Sequence, residues 1–92
     1  MRVPEDVRQR LREIYAEVPG EVFGEIVEHM RALDAAPAQL AHHVEDVLYC
    51  RHIYSFSVSR QNRTYAFMLA LREDAAGEWS IVDLGFGIEE ED

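Results

Sequence analysis

The stretch that decides the fold covers residues 54–67 and reads YSFSVSRQNRTYAF. Apolar and polar side chains alternate through its first half, which is the period of a half-buried β-strand. The run Arg60-Gln61-Asn62 interrupts this alternation, and Asn62 is the residue there that best tolerates a left-handed backbone. Alternation resumes from Arg63. The sequence therefore predicts a β-hairpin with this run as its turn.

The two strands of the hairpin extend beyond the quoted stretch. The period of two begins at Leu48, so the first strand is expected from there, with His52 on its apolar side. The second strand covers residues 63–72 and carries apolar side chains on both faces. Such a pattern is typical of a strand with a neighbour on each side. We therefore predict that the second strand is central in its sheet.

A third strand follows a turn at residues 73–77. It is predicted over residues 79–86, and Gly85 and Gly87 are expected to end it. The result is a three-stranded antiparallel β-meander over residues 48–87. Residues 88–92 are then expected to form a frayed acidic tail.

The first third of the chain predicts two helices over residues 4–36. Pro4 suits a first helical turn, Pro19-Gly20 separates the two helices, and Pro37 ends the second. Each helix carries one apolar stripe at helical spacing. A helical hairpin cannot bury both stripes alone, so we expect it to pack on the sheet. The prediction is a single α+β domain over residues 1–92.

Two shorter segments complete the expected fold. Residues 38–47 are ambiguous, and we interpret them as one turn of helix followed by a loop through His42-His43 and Glu45-Asp46. Residues 1–3 are expected to add a short edge strand.

Composition narrows the class of protein. The apolar fraction of 48% in 92 residues is that of a globular domain rather than a disordered chain. Cys50 is the only cysteine and cannot close an internal disulfide bond. No apolar run is long enough for a membrane span, and residues 1–6 lack the apolar core of a signal peptide. We therefore expect a cytoplasmic protein that does not associate with membranes.

Charge is distributed unevenly along the chain. Eighteen acidic residues oppose nine arginines, and the net charge of −9 should repel nucleic acid. No acidic residue lies between Asp46 and Glu73, and four arginines do: Arg51, Arg60, Arg63 and Arg72. This segment is +4, so the rest of the chain carries −13. Two interpretations remain open, namely mutual neutralisation with the acidic helices and a dedicated binding surface.

Metal-binding and nucleophilic sites are not indicated. His42, His43, Cys50 and His52 match no zinc-ligand spacing, and a cysteine on the inner face of a strand is usually buried and inert. Ser55, Ser57 and Ser59 alternate on one face of a strand, as on a polar sheet surface. No phosphate-binding glycine loop or serine nucleophile motif is present. We therefore expect no metal and no cofactor.

The arginine-rich segment has a chemistry of its own. Arginine forms bidentate contacts with phosphate, and tyrosines such as Tyr49, Tyr54 and Tyr65 can stack on bases. Cleavage of RNA through its 2′-hydroxyl needs little beyond positioned charge and one proton-transfer group. The alternative is that Tyr54 and Tyr65 are core residues of their strands, and for these two we favour it.

The hairpin residues 54–67 and the later run WSIVDLG at residues 79–85 resemble the RelE/ParE/HigB toxin superfamily. Members of this family carry a helical hairpin, an alternating strand, a short turn and an arginine that opens the next strand. The resemblance implies a toxin-type domain of a bacterial toxin–antitoxin system. It further implies an antitoxin partner and action on messenger RNA at the ribosome, as a metal-independent endoribonuclease, or on DNA gyrase. Arg63 matches the functional arginine of the family, and Arg60 would be a second phosphate ligand.

Several features differ from the family pattern and support an alternative. The chain is acidic, Ser55 and Ser57 stand where RNA-cutting members carry basic residues, and no histidine or tyrosine follows Gly85. The alternative is a small non-enzymatic interaction protein, such as an immunity protein, an anti-defence protein or a nucleic-acid mimic. Its working surface would be the carboxylates of the two helices and the tail, among them Glu21, Glu25 and Glu28 on the second helix, directed at a basic protein partner.

Overall fold

A computed structural model of the chain describes residues 1–40, 44–46 and 51–90. Its elements, in chain order, are α1 (Glu5–Glu17), α2 (Gly20–Ala35), α3 (Pro37–Leu40), β1 (Val44–Asp46), β2 (Arg51–Arg60), β3 (Arg63–Glu73) and β4 (Trp79–Glu90). Two helices thus precede an antiparallel meander of three long strands. The predicted α+β class is confirmed.

Proline and glycine set the limits of the two long helices. Pro4 occupies the N-cap position of α1, and Glu5 and Asp6 lie in its first turn, where they complement the helix dipole. Pro19 caps α2 in the same way, with φ −59° and ψ 148°. The missing N–H of proline costs nothing at a helix start, because no intrahelical acceptor exists there. Each helix buries one stripe: Val7 and Ile14 on α1, and Val22, Ile26 and Leu33 on α2.

The sheet has the order β1-β2-β3-β4, so every strand pairs with its neighbour in sequence. β3 is central, as predicted: Phe67 pairs with Phe56 of β2 on one side and with Phe86 of β4 on the other. The alternation of β3 is also as expected, since Tyr65, Phe67, Leu69 and Leu71 are all buried. These side chains and the helix stripes form two adjoining clusters. The core therefore lies between the helical hairpin and one face of the sheet.

Residues 44–46 differ from the prediction. The interpretation of Glu45-Asp46 as a loop is wrong, because both belong to β1 and pair with His52 and Arg51 of β2. Backbone pairing along the outer edge of β2 requires no apolar side chains, and so the sequence pattern did not reveal it. Residues 37–40 form the single helical turn that was expected. His42, His43 and the predicted strand start at Leu48 lie outside the described residues.

The end of β4 also differs from the prediction. Gly85 and Gly87 do not end the strand, and residues 88–90 are not a frayed tail, because β4 continues to Glu90. β3 begins at Arg63 and offers backbone partners along its whole length, so that Glu90 pairs opposite Arg63. A side chain built at Gly87 would meet no atom within 4 Å, so Gly87 lies on open sheet surface, whereas Gly85 lies beside Met68.

The other side of β4 is partly covered by the start of the chain. The Arg2 amide donates to the carbonyl of Trp79 at 2.9 Å, and the Ile81 amide donates to the carbonyl of Arg2 at 3.0 Å. The short edge strand expected at residues 1–3 is thus a single parallel bridge between Arg2 and Ser80. Just beyond it, Val82 is an extra residue in a β-bulge, since Leu71 pairs with Ile81 and Ala70 with Asp83.

Candidate functional site

The turn between β2 and β3 brings two of the predicted site residues together. Gln61 and Asn62 both have positive φ angles, 53° and 64°, as in a two-residue type I′ hairpin turn. The left-handed conformation was expected at Asn62 but not at Gln61. This tight turn makes Arg60 and Arg63 direct cross-strand partners. We refer to these two residues as the arginine pair.

The side chain of Arg60 extends toward α2 and is only partly exposed to solvent. It shares a strand face with the buried Val58, because side chains two residues apart point the same way. Its Nη2 lies 2.7 Å from Oε1 of Glu25 on α2, and its Nη1 donates to the carbonyl oxygen of Ser59 at 2.7 Å. The guanidinium thereby links the hairpin to α2 while remaining nearly half exposed.

Arg63 forms a second ion pair on the same side of the sheet. Its Nη2 lies 3.0 Å from Oε1 of Glu90, and its side chain is 51% exposed. A hydrogen bond to the side chain of Tyr65 and the nearby Glu90 carboxylate raise the pKa of Arg63 above its ordinary value. The guanidinium is therefore charged at neutral pH. Tyr65 itself is buried, as its place on the inner face of β3 predicts.

The other two arginines of the acid-free segment lie at the opposite end of the sheet. Arg51 is the first residue of β2, and Arg72 pairs with Ser80 near the end of β3. Nine residues of extended strand separate Arg63 from Arg72, which corresponds to about 30 Å. The structure therefore brings Arg60 and Arg63 together and separates both from Arg51 and Arg72. The four do not form one basic patch.

The alternative acidic surface lies on α2, and part of it is already engaged. Glu25 pairs with Arg60, and Oε1 of Glu28 lies 3.4 Å from Nη1 of Arg31 one turn later. Glu21 is exposed in the first turn of the helix. The other carboxylate oxygen of Glu25, Oε2, is buried and has no hydrogen-bond partner among the described residues. Of the three carboxylates, Glu21 and Glu28 are the more accessible to a partner protein.

His52 is the one member of the predicted histidine and cysteine cluster that the structure describes in full. Its ring lies 5.1 Å from that of Trp79, on the half-buried inner side of β2, and its Nδ1 has no hydrogen-bond partner among the described residues. Within residues 1–40 and 51–90, no three side chains of the metal-binding types come together.

A histidine that the sequence analysis did not single out contacts one of the predicted core tyrosines. Nδ1 of His29, on α2, lies 2.9 Å from the hydroxyl of Tyr54, and its ring stacks on Phe56 with centroids 4.1 Å apart. Burial raises the pKa of Tyr54 above its ordinary value of 10.0. The position of His29 in the helical pattern could have indicated burial, but its partner lies 25 residues away and follows only from the packing.

A shallow apolar cavity of about 310 Å³ opens beside the start of the chain. Its lining includes Val27, Met30, Leu33 and Ile81, with Arg31 and Asp34 among the polar residues. Neither member of the arginine pair lines it, nor does His29, and no sequence pattern predicted it. No helix within the described residues is long and apolar enough to cross a membrane.

Comparisons with protein-family models, with curated proteins and with solved structures give no match to this chain. The interpretation of the site therefore depends on the residues and the geometry described above.

Proposed function

We propose that this chain is a toxin-type domain of the RelE/ParE kind, which uses the arginine pair to contact RNA phosphate or an acidic protein surface. One observation carries the proposal. The turn sets Arg60 and Arg63 directly opposite each other at the tip of the hairpin, on one side of the sheet and about half exposed. Guanidinium groups carried by two cross-strand neighbours can offer several N–H donors to an anion, which suits phosphate better than a single charge does.

The two carboxylates that form ion pairs with Arg60 and Arg63 determine how such a contact would form. Glu25 and Glu90 hold the two guanidinium groups in place before an anion arrives. A phosphate would exchange with these carboxylates, and exposed ion pairs of this kind are weak enough to exchange. If the domain cleaves RNA, Arg63 would stabilise the developing charge at phosphorus without a metal ion. If it acts by binding, the same pair would contact an acidic surface on its target.

Bacterial growth after induced expression tests this proposal. We expect the wild-type chain to arrest growth and Arg63→Ala to relieve the arrest at equal soluble protein level. Arg31→Ala is the matched control, because it removes one arginine from an exposed ion pair on α2, away from the hairpin tip. Unimpaired growth with wild-type protein, or equal arrest by wild type and Arg63→Ala, would exclude the arginine pair as the working site.

A second candidate function is favoured by the charge distribution. Both members of the arginine pair are already neutralised by carboxylates, and the chain as a whole is −9. A small acidic inhibitor that binds a basic protein would have these properties. The surface predicted for it includes Glu21 and Glu28 on α2, together with Glu25.

An affinity-capture experiment separates this candidate from the first. We expect wild-type protein to retain a basic partner from cell extract, and a Glu21→Gln, Glu28→Gln double variant to lose it. Glu25 is left intact there because it holds Arg60. Arg63→Ala should retain the partner if the acidic surface is the working one. If only Arg63→Ala loses the partner, the arginine pair rather than the acidic surface is the binding site.

A further inference from the structure

The second half of β4 presents a sheet edge that the described residues leave open. β3 pairs with one side of β4 along its whole length, whereas the Arg2 bridge covers the other side only around Ser80. No described residue pairs with the outer side of residues 84–90, which we call the open edge. Seven residues of strand span about 20 Å, enough for a partner strand of similar length. Unpaired edges of this length are templates for strand addition.

The bonding pattern identifies the backbone groups that point outward. The Leu84 amide donates to Oδ1 of Asp83 at 2.9 Å, so this amide is not bonded to β3. In an antiparallel ladder such outward groups recur at every second residue. The amides and carbonyls of Phe86 and Ile88 therefore face the open edge. Those of Gly85 and Gly87 face β3.

The side chains beside the open edge differ between its two faces. On the inner face lie Leu84, Phe86 and Ile88, of which Ile88 is 40% exposed. On the outer face Asp83 and Glu89, both exposed, flank Gly85 and Gly87, which have no side chains. A strand added here would meet apolar groups on one face. On the other face it would meet two carboxylates six residues apart, with the two glycines between them.

Charge argues against a second copy of the chain as the occupant. In an antiparallel pairing of two open edges centred on Phe86, Asp83 of each copy would lie opposite Glu89 of the other. Like charges placed directly opposite each other destabilise a sheet. The same two carboxylates would pair favourably with lysine or arginine. This register of self-pairing is therefore disfavoured, whereas a basic strand is attracted to both carboxylates.

We propose that the open edge of β4 binds an extended basic segment of another protein by strand addition. The segment would place apolar side chains at every second position against Leu84, Phe86 and Ile88. It would place basic side chains six residues apart against Asp83 and Glu89. The Asp83 carboxylate, which caps the Leu84 amide, marks the end of the surface nearest the Arg2 bridge. This inference goes beyond the proposed function and depends on neither member of the arginine pair.

A synthetic peptide of sequence KVTITVK is the probe, and fluorescence anisotropy with the full chain measures its binding. We expect saturable binding, together with slower hydrogen exchange at the amides of Phe86 and Ile88. The amides of Gly85 and Gly87 already pair with β3 and should not change. The scrambled peptide KVVITTK should bind at least tenfold more weakly, because it loses the alternation. Binding without protection of the Phe86 and Ile88 amides would overturn the proposal, as would protection of those amides before peptide is added.

Two substitutions at one position isolate the backbone contribution. Ile88→Pro removes the outward amide, whereas Ile88→Thr keeps it in a β-branched residue of similar shape. Because the Ile88 amide does not pair with β3, both variants should fold, which circular dichroism and the exchange of the Leu69 amide will check. We expect at least tenfold weaker binding in Ile88→Pro only. Equal binding by the two folded variants would overturn strand addition.

A charge exchange isolates the electrostatic contribution. Glu89→Lys should weaken binding of KVTITVK at least tenfold and strengthen binding of EVTITVE. Glu17→Lys, on exposed α1 surface, changes the net charge equally and is the matched control. Equal effects of the two substitutions would show that only overall charge matters and would overturn the proposal. Peptide binding tests the open edge and growth arrest tests the arginine pair. The two measurements are independent, so a negative result in one does not decide the other.

Discussion

The two hairpins of the sheet differ in how their ladders are built. β2 and β3 pair without interruption from Arg60 and Arg63 at the turn to His52 and Leu71 at the far end. β3 and β4 pair over a longer stretch, but their register shifts at a bulge between Ala70 and Leu71. The outer side of β2 pairs with β1 only at residues 51–53, and the outer side of β4 is bridged only near Ser80, so both edges of the sheet are largely unpaired among the described residues.

The two edges differ in the side chains beside them: Ser55, Ser57 and Ser59 lie on the outer face of β2, whereas Asp83 and Glu89 lie on that of β4. The first hairpin contributes its aromatic side chains to the core and holds its arginines in ion pairs with Glu25 and Glu90. The second hairpin ends in a strand whose outward amides and carbonyls at Phe86 and Ile88 pair with no other described strand. A bulge next to such an edge commonly marks where pairing is allowed to stop or to start.

The largest difference in stability is expected between substitutions in the core of β3, the strand common to both hairpins, and substitutions at the open end of β4. Leu71 is fully buried, so Leu71→Ala should lower the free energy of unfolding by about 2–5 kcal/mol. Ile88 is 40% exposed, so Ile88→Ala should cost only about 1 kcal/mol or less. Urea denaturation of both variants measures this difference. Similar losses would mean that the end of β4 is as tightly packed as the centre of the sheet.

Substitutions in the β2–β3 turn and in the β3–β4 turn should destabilise the fold for different reasons. The first depends on backbone conformation: Asn62 has φ 64°, so Asn62→Ala should cost about 1 kcal/mol and Asn62→Gly little. The second depends on Asp74, whose Oδ1 accepts hydrogen bonds from the amides of Ala76 and Glu78, each at 2.9 Å. Asp74→Ala should cost about 1 kcal/mol, and glycine there should not restore it.

Thermal unfolding at fixed pH compares these variants. If Asn62→Gly is as damaging as Asn62→Ala, the side chain of Asn62 rather than its backbone conformation stabilises the first turn. If Asp74→Ala has no effect, the two hydrogen bonds accepted by the Asp74 side chain contribute nothing to stability.

The smallest expected effect is a loss of stability at alkaline pH, and it concerns Tyr54 of β2, which contacts His29 on α2. Burial raises the pKa of Tyr54 in the folded chain above its ordinary value of 10.0. The unfolded chain then loses this proton first, so the associated stability is fully present below about pH 10 and falls as pH rises further. Tyr54→Phe should reduce this alkaline loss. Urea midpoints measured from pH 8 to pH 11 test it, and identical slopes for the two proteins would contradict it.

The fold could be predicted from sequence where side-chain pattern determines structure. Alternation placed β2 and β3, and proline and glycine placed the boundary between α1 and α2. The errors fell where backbone pairing alone determines structure. Glu45-Asp46 joins the sheet although it is charged, and β4 passes through Gly85 and Gly87, because β2 and β3 supply hydrogen-bond partners that composition does not reveal.

The candidate site was predictable only in part for a related reason. Sequence spacing gave Arg60 and Arg63 as neighbours across a turn, since a two-residue turn fixes the register. The ion pairs with Glu25 and Glu90 join residues 35 and 27 positions apart, and they depend on how α2 and β4 pack against the hairpin. The outward amides of Phe86 and Ile88 depend on pairing alone, so no side-chain pattern could indicate them.

The order β1-β2-β3-β4 has a kinetic consequence. Each strand finds its partner in the segment next to it along the chain, so the sheet can assemble by successive hairpin closures with short loops. Proteins whose contacts are mostly local fold faster than those that must first close long loops. The bridge between Arg2 and Ser80 is the exception, because it joins residues 78 positions apart. We therefore expect the meander to form early, and the attachment of residues 1–3 to slow unfolding rather than to speed folding.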